Sequence, residues 1–207
     1  GIGYGLTETN ALGTMGAGDE YINNPSSAGR VVPPLTEIKI IDENWQELPE
    51  GKIGEVAIRS QSNMKGYWRN DDATAECINS EGWFKSGDLG KFDGPFLYIL
   101  DRLKDMVIRG GENIACPEVE GAIYEHPDVL EASVFGIPDE RLGEILCSSI
   151  CLREGSKLSV ELLNEFLSDK LAAFKIPVKI KFTYNPLPKI ASGKFDKPTM
   201  RQNFIEE

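Results

Sequence analysis

The sequence predicts an α+β protein in two parts, a small β-barrel-like or curled-sheet region followed by a compact α+β domain. Three observations carry this. Short runs that alternate apolar and polar residues crowd positions 31–100. Positions 106–207 instead mix strand-like runs with helix-like ones, in the order strand, helix, strand, strand, helix, strand. Apolar residues make up 41% of the 207, enough for a real core.

Residues 1–30 are rich in Gly, Asn and Thr, with little periodicity, and read as loop joined to short elements. From Thr36 the run TEIKIID alternates, LPEGK gives a turn signal, and KIGEVAIRS alternates again. WFKSGDLGKF and GPFLYIL read as strands broken by Gly and Asp, and the close spacing of these runs suggests a small barrel or a curled sheet. The join at DRLKD, residues 101–105, is short and charged and reads as a loop or a hinge. Beyond it, MVIRG is a short apolar run. CPEVEGAIYEHP predicts a helix with Pro117 in its first turn and Pro127 stopping it. VLEASVFGIP and EILCSSICLRE read as a pair of strands. SVELLNEFLSDKLAAFKIP predicts one helix, capped by Ser159, with Leu163, Phe166, Leu167, Leu171 and Phe174 on one face. VKIKFTY is a further alternating strand.

The net charge of −11 argues against general binding to nucleic acid or to an anionic membrane surface. A small anion remains possible, because it feels local cations and amides rather than the net charge. No apolar run approaches the roughly 20 residues that a membrane helix needs. The four cysteines form no CxxC pair and His126 is the only histidine, which argues against a zinc site and a histidine-based triad. Reduced core thiols in a cytoplasmic protein are the expectation. The chain starts at Gly1, without Met and inside a motif-like stretch, so a piece of a longer protein is expected.

Several stretches could carry chemistry, and each also has an ordinary reading. YGLTET, from Tyr4, offers a ring that could stack on a base, a Thr7 hydroxyl for a phosphate oxygen, and a Glu8 carboxylate for a hard cation such as Mg²⁺. It could equally be a strand end followed by a threonine cap. Asp88 in GWFKSGDLG could accept two hydrogen bonds from a vicinal diol, or simply sit in a β-turn. DRLKDMVIRGGENI holds Arg102, Lys104 and the pair Gly110-Gly111, which could let a ligand pass close to backbone or could form a plain turn. GIGYG is a poor match to a dinucleotide fingerprint, its spacing being wrong. SGK, at Ser192 to Lys194, resembles the end of a phosphate-binding loop, but Pro188 and Phe195 stand where that loop needs a glycine and a hydroxyl.

Taken together and in order, these stretches resemble the adenylate-forming superfamily: acyl-CoA synthetases, adenylation domains of peptide synthetases and firefly-type luciferases. YGLTE, GEVAIRS with KGYW, GWFKSGDLG, DRLKDMVIRGGENI and PKIASGK match five consecutive signature blocks, VFGIPDERLGE matches the usual wording between them, and the resemblance covers essentially the whole chain. It implies that ATP and a carboxylate form an acyl-adenylate with loss of pyrophosphate, after which a thiol, often CoA, takes the acyl group and AMP leaves. By the match of motifs, Tyr4 would stack on adenine, Thr7 would touch the α-phosphate and Glu8 would bind Mg²⁺. Asp88, helped by Arg102, would hold the ribose hydroxyls. Lys104 would sit at a hinge, residues 101–105, between the end of the large domain, residues 1–100, and a mobile C-terminal domain, residues 106–207. Lys194 would swing in for the first half-reaction, and the loop at Gly110 and Gly111 would line the thiol's path in the second.

The wording GGENI and PEVE is more similar to CoA ligases acting on fatty, aromatic or similar acids than to peptide-synthetase domains. The alternatives are a carrier-protein-loading adenylation domain and a non-catalytic interaction module. Phe195, Asp196 and Lys197 follow the SGK where the family often has a basic pair, and Ser86 stands where threonine is frequent. The family's phosphate loop, normally upstream of YGLTE, and most of its acyl pocket have no counterpart here, so the chain alone is expected to be inactive. Its expected partners are ATP, CoA, a small carboxylic acid and the N-terminal part of the same enzyme. Surface that this part would cover could also let the chain form a homo-oligomer.

Overall fold

The structure, a computed structural model, describes residues 1–206. The chain divides into two compact units, Gly1–Lys104 and a second beginning at Asp105. Among the described residues no helix is long and apolar enough to cross a membrane.

The first unit is built on one seven-stranded sheet. Its strands are β1 (Ile2–Tyr4), β2 (Thr14–Gly16), β3 (Arg30–Val31), β4 (Thr36–Ile41), β5 (Gly54–Ser60), β6 (Phe84–Asp93) and β7 (Phe96–Arg102), in the order β1-β2-β3-β7-β6-β5-β4. All neighbouring pairs are antiparallel. Among the described residues the two edges, β1 and β4, do not pair, so of the small barrel and the curled sheet expected the protein has the open sheet. Alternation in the sequence sets which face a side chain takes, not whether two edge strands meet, which explains why the two outcomes look alike in sequence. One face carries Ile40, Val56, Ile58 and Leu97, with Tyr4 and Leu6 packed against them. The other carries Ile41, Ala57 and Trp83, with Lys39 and Arg59 over the indole at 4.3 and 4.7 Å. WFKSGDLGKF is not broken at its glycines: β6 runs through Gly87 and Gly90 for ten residues and shifts register between Leu89 and Gly90.

Two short helices, α1 (Gly18–Asn23) and α2 (Asp71–Cys77), flank this sheet. The alternation did not predict α2. Asn70 caps it by accepting from the Ala73 N–H, and Asp71 and Asp72 complement the positive end of its dipole.

The second unit has a five-stranded sheet. Its strands are β8 (Val107–Arg109), β9 (Glu112–Ile114), β10 (Val129–Asp139), β11 (Gly143–Leu152) and β12 (Lys179–Thr183). The expected pair β10/β11 is a long antiparallel hairpin, and β12 joins β11 in parallel. The two faces bury different clusters. On one face α3 (Cys116–Tyr124) and α4 (Val160–Ser168) bring Val119, Ile123, Leu163 and Leu167 onto Val134, Leu146 and Ile150. On the other, α5 (Lys197–Ile205) brings Met200 and Phe204 onto Phe135, with the two rings edge to face at 5.2 Å.

Ser159 does cap α4, accepting from the Leu162 N–H, but the helix ends at Ser168 rather than running on through Phe174. There the Ser168 hydroxyl donates back to the Glu165 carbonyl at 2.7 Å, an alternative to the helical ladder. Leu171 still reaches the core and Phe174 packs against it from a 3₁₀ turn, Ala173–Lys175, so the apolar pattern outlasts the helix. Strand β9 and helix α5 are additions to the expected order.

Candidate active site

In the first unit, Tyr4, Asp88 and Arg102 interlock. Asp88 is central in β6, not in a β-turn, and stands opposite Arg102 of β7. It is 5% exposed. A buried carboxylate needs partners, because desolvation without them costs several kcal/mol. Asp88 has two: the Tyr4 hydroxyl donates to Oδ2 at 2.6 Å, and Arg102 Nε lies 3.3 Å from Oδ1. Burial, and next the Asp88 carboxylate, push the Tyr4 phenol far above its ordinary range, so it remains a donor. The Asp88 N–H is satisfied by Ser86 Oγ at 3.1 Å, a bond that needs only the hydroxyl which serine and threonine share. A carboxylate can accept about four hydrogen bonds, so two engaged oxygens still leave lone pairs for a ligand.

Glu8 and Arg102 line a cleft of about 420 Å³ in the same unit, together with Leu6, Ser86, Gly87 and Lys104. Asp88 and Tyr4 do not line it; they are linked to it through the pairing of Asp88 with Arg102. Glu8 lies in a 3₁₀ turn, Thr7–Thr9, that follows β1. The capping hydroxyl there is that of Thr9, which both accepts from the Leu6 N–H and donates to the Leu6 carbonyl at 3.1 Å. Thr7 is therefore not consumed by the cap. It is exposed and makes no side-chain hydrogen bond among the described residues.

The segment 60–67 clamps this turn. Ser62 Oγ donates to the Thr9 carbonyl, the Met64 N–H to the Glu8 carbonyl, and the Tyr67 hydroxyl to Glu8 Oε1 at 3.0 Å. Partial burial, and next the Glu8 carboxylate, push the Tyr67 phenol up to about 12. Tyr67 lies within the KGYW stretch. The 59-residue separation from Glu8 leaves no spacing signal. Among the described residues no three His, Cys, Asp or Glu side chains group around a metal position. Glu8 supplies one hard oxygen donor, which suits a Mg²⁺ that arrives with phosphates and keeps water ligands.

Lys104 ends the first unit and is exposed in the loop after β7. The remaining predicted residues belong to the second unit. Gly110 and Gly111 form the two-residue turn between β8 and β9, flanked by the pair Arg109–Glu112. Their φ values of 60° and 88° are those of a hairpin turn that L-residues rarely enter. Lys194 sits at the tip of a narrow hairpin. Lys189 bridges Phe195, the Ile190 N–H donates to the Lys194 carbonyl at 2.9 Å, and Gly193 turns at φ 83°. Its two lysine neighbours are tied down, Lys189 to Glu131 and Lys197 to Glu120. Lys194 is exposed and has no ion pair among the described residues.

Comparison with known proteins gives consistent matches. The family description "AMP-binding enzyme" matches residues 1–68, and "AMP-binding enzyme C-terminal domain" matches residues 118–194. The putative acyl-CoA synthetase YngI of Bacillus subtilis is 40% identical over 99% of this chain and 38% of its own length. The mitochondrial medium-chain acyl-CoA ligase ACSF2 of Danio rerio is 37% identical over 97% of this chain and 33% of its own. Among solved structures, ATP-bound MatB from Rhodopseudomonas palustris aligns with a TM-score of 0.87 at 33% identity, over 97% of this chain and 39% of that one. The o-succinylbenzoate CoA synthetase MenE of Bacillus subtilis, solved with its acyl-adenylate intermediate, gives 0.86 at 32% identity, over 99% and 40%. The chain thus spans between a third and two fifths of the length of the curated relatives described.

Proposed function

Because this chain belongs to the AMP-binding enzyme family, the adenylate-forming superfamily its motifs resemble, we propose that the protein carrying it is an AMP-forming carboxylic acid:CoA ligase. The observation that carries the reading is the linked set Tyr4–Asp88–Arg102 beside the Glu8 cleft, each at a position where the family's motifs match. In the first step a substrate carboxylate attacks the α-phosphorus of ATP, an acyl–O–P bond forms, and pyrophosphate leaves. In the second a CoA thiol attacks the acyl carbon, loses its proton, and AMP departs.

This chain's residues would divide that work. Tyr4, its hydroxyl tethered to Asp88, offers a ring of fixed position to the adenine. Asp88 would accept from the ribose hydroxyls with lone pairs that Tyr4 and Arg102 leave open. The unconsumed Thr7 hydroxyl would donate to the α-phosphate. Glu8, steadied by Tyr67, would hold Mg²⁺, which when bound neutralises phosphate charge. Lys194 would meet the charge that gathers on the phosphate oxygens during attack. The loop at Lys104 would let the second unit deliver Lys194 for one step and the turn at Gly110 and Gly111 for the other. The four cysteines, none in a disulfide among the described residues, fit a reducing compartment such as the cytoplasm.

AMP release by the full-length protein, over a panel of carboxylic acids with and without CoA, tests the reading. Release that needs both acid and CoA is expected and identifies the acid. Acyl-adenylate that accumulates regardless of CoA would replace CoA by a carrier-protein acceptor. No nucleotide binding at all would leave the interaction module.

A further inference from the structure

The hairpin that carries Lys194 is fastened at its base by one side chain from another element. Glu131 of β10 accepts from the Leu187 N–H through Oε2 at 2.7 Å and from Lys189 Nζ through Oε1 at 2.5 Å. Its carboxylate thus grips both backbone and side chain of the strand that leads into the turn. Leu187 is buried against Phe135 and Phe204, and Phe195 on the returning strand packs against the same cluster. Lys189 lies 5.5 Å from the centre of the Phe195 ring, so one ammonium touches both legs. The return leg is stopped by Asp196, which caps α5 through the Thr199 N–H and hydroxyl.

Two details argue that this grip does more than add stability. First, β10 shifts register between Val129 and Glu131, and such a bulge re-aims the side chain beside it. Second, Lys189 and Glu131 are 40% and 21% exposed, and an ion pair in such a setting adds little to global stability, so its effect falls on the local orientation of the hairpin. The tip, meanwhile, is tied by backbone bonds inside the hairpin, Ile190 N–H to the Lys194 carbonyl and Gly193 N–H to the Ile190 carbonyl, while the Lys194 side chain is exposed and a Cβ added at Gly193 would meet nothing within 4 Å.

We propose that Glu131 is a positioning residue for adenylation, aiming Lys194 by clamping the base of its hairpin through Leu187 and Lys189. The proposal rests on the reading of Lys194 as the cation of the first half-reaction. It predicts a split that a purely structural role would not produce. A loosened hairpin misplaces Lys194 and slows adenylation, but the second half-reaction, which does not use Lys194, proceeds.

The test compares Lys194→Ala, Glu131→Ala and Glu131→Gln in the full-length protein. ATP–pyrophosphate exchange reads the first step, and thioester formation from supplied acyl-adenylate reads the second. Glu131→Ala is expected to slow exchange by about 10- to 100-fold, the order that a displacement of about 1 Å costs, with the second step changed by less than about threefold. Glu131→Gln should fall between this and the parent, because its amide oxygen can still accept from the Leu187 N–H while the charge facing Lys189 is gone. An equal fall in both steps would overturn the proposal, as would unchanged exchange in both Glu131 variants while Lys194→Ala loses it. If Lys194→Ala itself spares exchange, the reading of Lys194 fails and the role of Glu131 falls with it.

Discussion

Two tripeptides of the same form, Ser86-Gly87-Asp88 and Ser192-Gly193-Lys194, end in opposite environments. Both central glycines are left-handed, at φ 72° and 83°, and neither has an atom within 4 Å of an added Cβ. Yet a strand runs through the first, and Asp88 is buried with a partner on each carboxylate oxygen. The second is the tip of a hairpin, and its lysine is exposed without an ion pair among the described residues. The difference lies in residues distant in sequence. Tyr4 and Arg102 can shelter a carboxylate only because the sheet brings β1 and β7 near β6, whereas Leu187, Lys189 and Glu131 hold only the base of the hairpin. Under the proposed function, a charge that stays in place is prebuilt and paired, and a charge delivered for one step is left unpaired on an anchored stalk.

The sharpest way to break this comparison is to remove each charge in the full-length protein. Lys194→Ala should lower adenylation by about 10²–10³-fold, the loss typical of one stabilising donor. It should leave the denaturation midpoint within about 0.5 kcal/mol of the parent, as expected for an exposed side chain. Asp88→Ala should show the reverse emphasis. It strands the partly buried Tyr4 hydroxyl, at about 1–3 kcal/mol, and weakens nucleotide binding at the same time. Urea unfolding and ATP binding would decide. Stability unchanged in Asp88→Ala, or lost in Lys194→Ala, would collapse the distinction.

The turn at Gly110 and Gly111 extends the comparison to a third left-handed site. Gly111→Leu meets open space but must adopt φ 88°, at a cost of about 1–2 kcal/mol. In the full-length protein it should spare adenylation and block thioester formation, while Gly111→Asn, which tolerates left-handed backbone, should be milder on both counts. Equal loss of the two half-reactions would remove the turn from the thiol's path.

What could be read in advance follows the same divide. Period-2 alternation located β4, β5 and β12, and Ser159 located the start of α4, because those signals are local. Helix α2 escaped because it buries no residue, and α5 because only Met200 and Phe204 of it reach the core, so neither shows an apolar stripe. The caps Asn70 and Asp196 were the available signals. Tyr4, Asp88, Arg102 and Lys194 were legible as a set only through the order of their motifs. Their physical partners were not: Tyr67 with Glu8 and Glu131 with Lys189 are 59 and 58 residues apart, and no periodicity spans such a gap.

The smallest effect tests the stalk itself. Lys189, and next the Leu187 N–H, hold the Glu131 carboxyl below its ordinary value, against partial burial, which acts the other way. A carboxyl depressed by folding contributes stability above its unfolded value, and that contribution is lost as pH falls through the folded one. The stability gap between the parent and Glu131→Gln should therefore be about 1 kcal/mol or less at neutral pH and should shrink in acid. Asp139 is also held below its ordinary value, by the Leu142 and Arg141 N–H groups, but it is the same in both proteins and cancels in the difference. Urea midpoints across that range would read the gap directly. A gap near zero at every pH would mean that hydrogen bonding at Leu187, which Glu131→Gln can keep, fixes the hairpin rather than the charge facing Lys189. Lys194 would then be aimed by backbone alone, and the contrast with the charge-paired Asp88 would be sharper still.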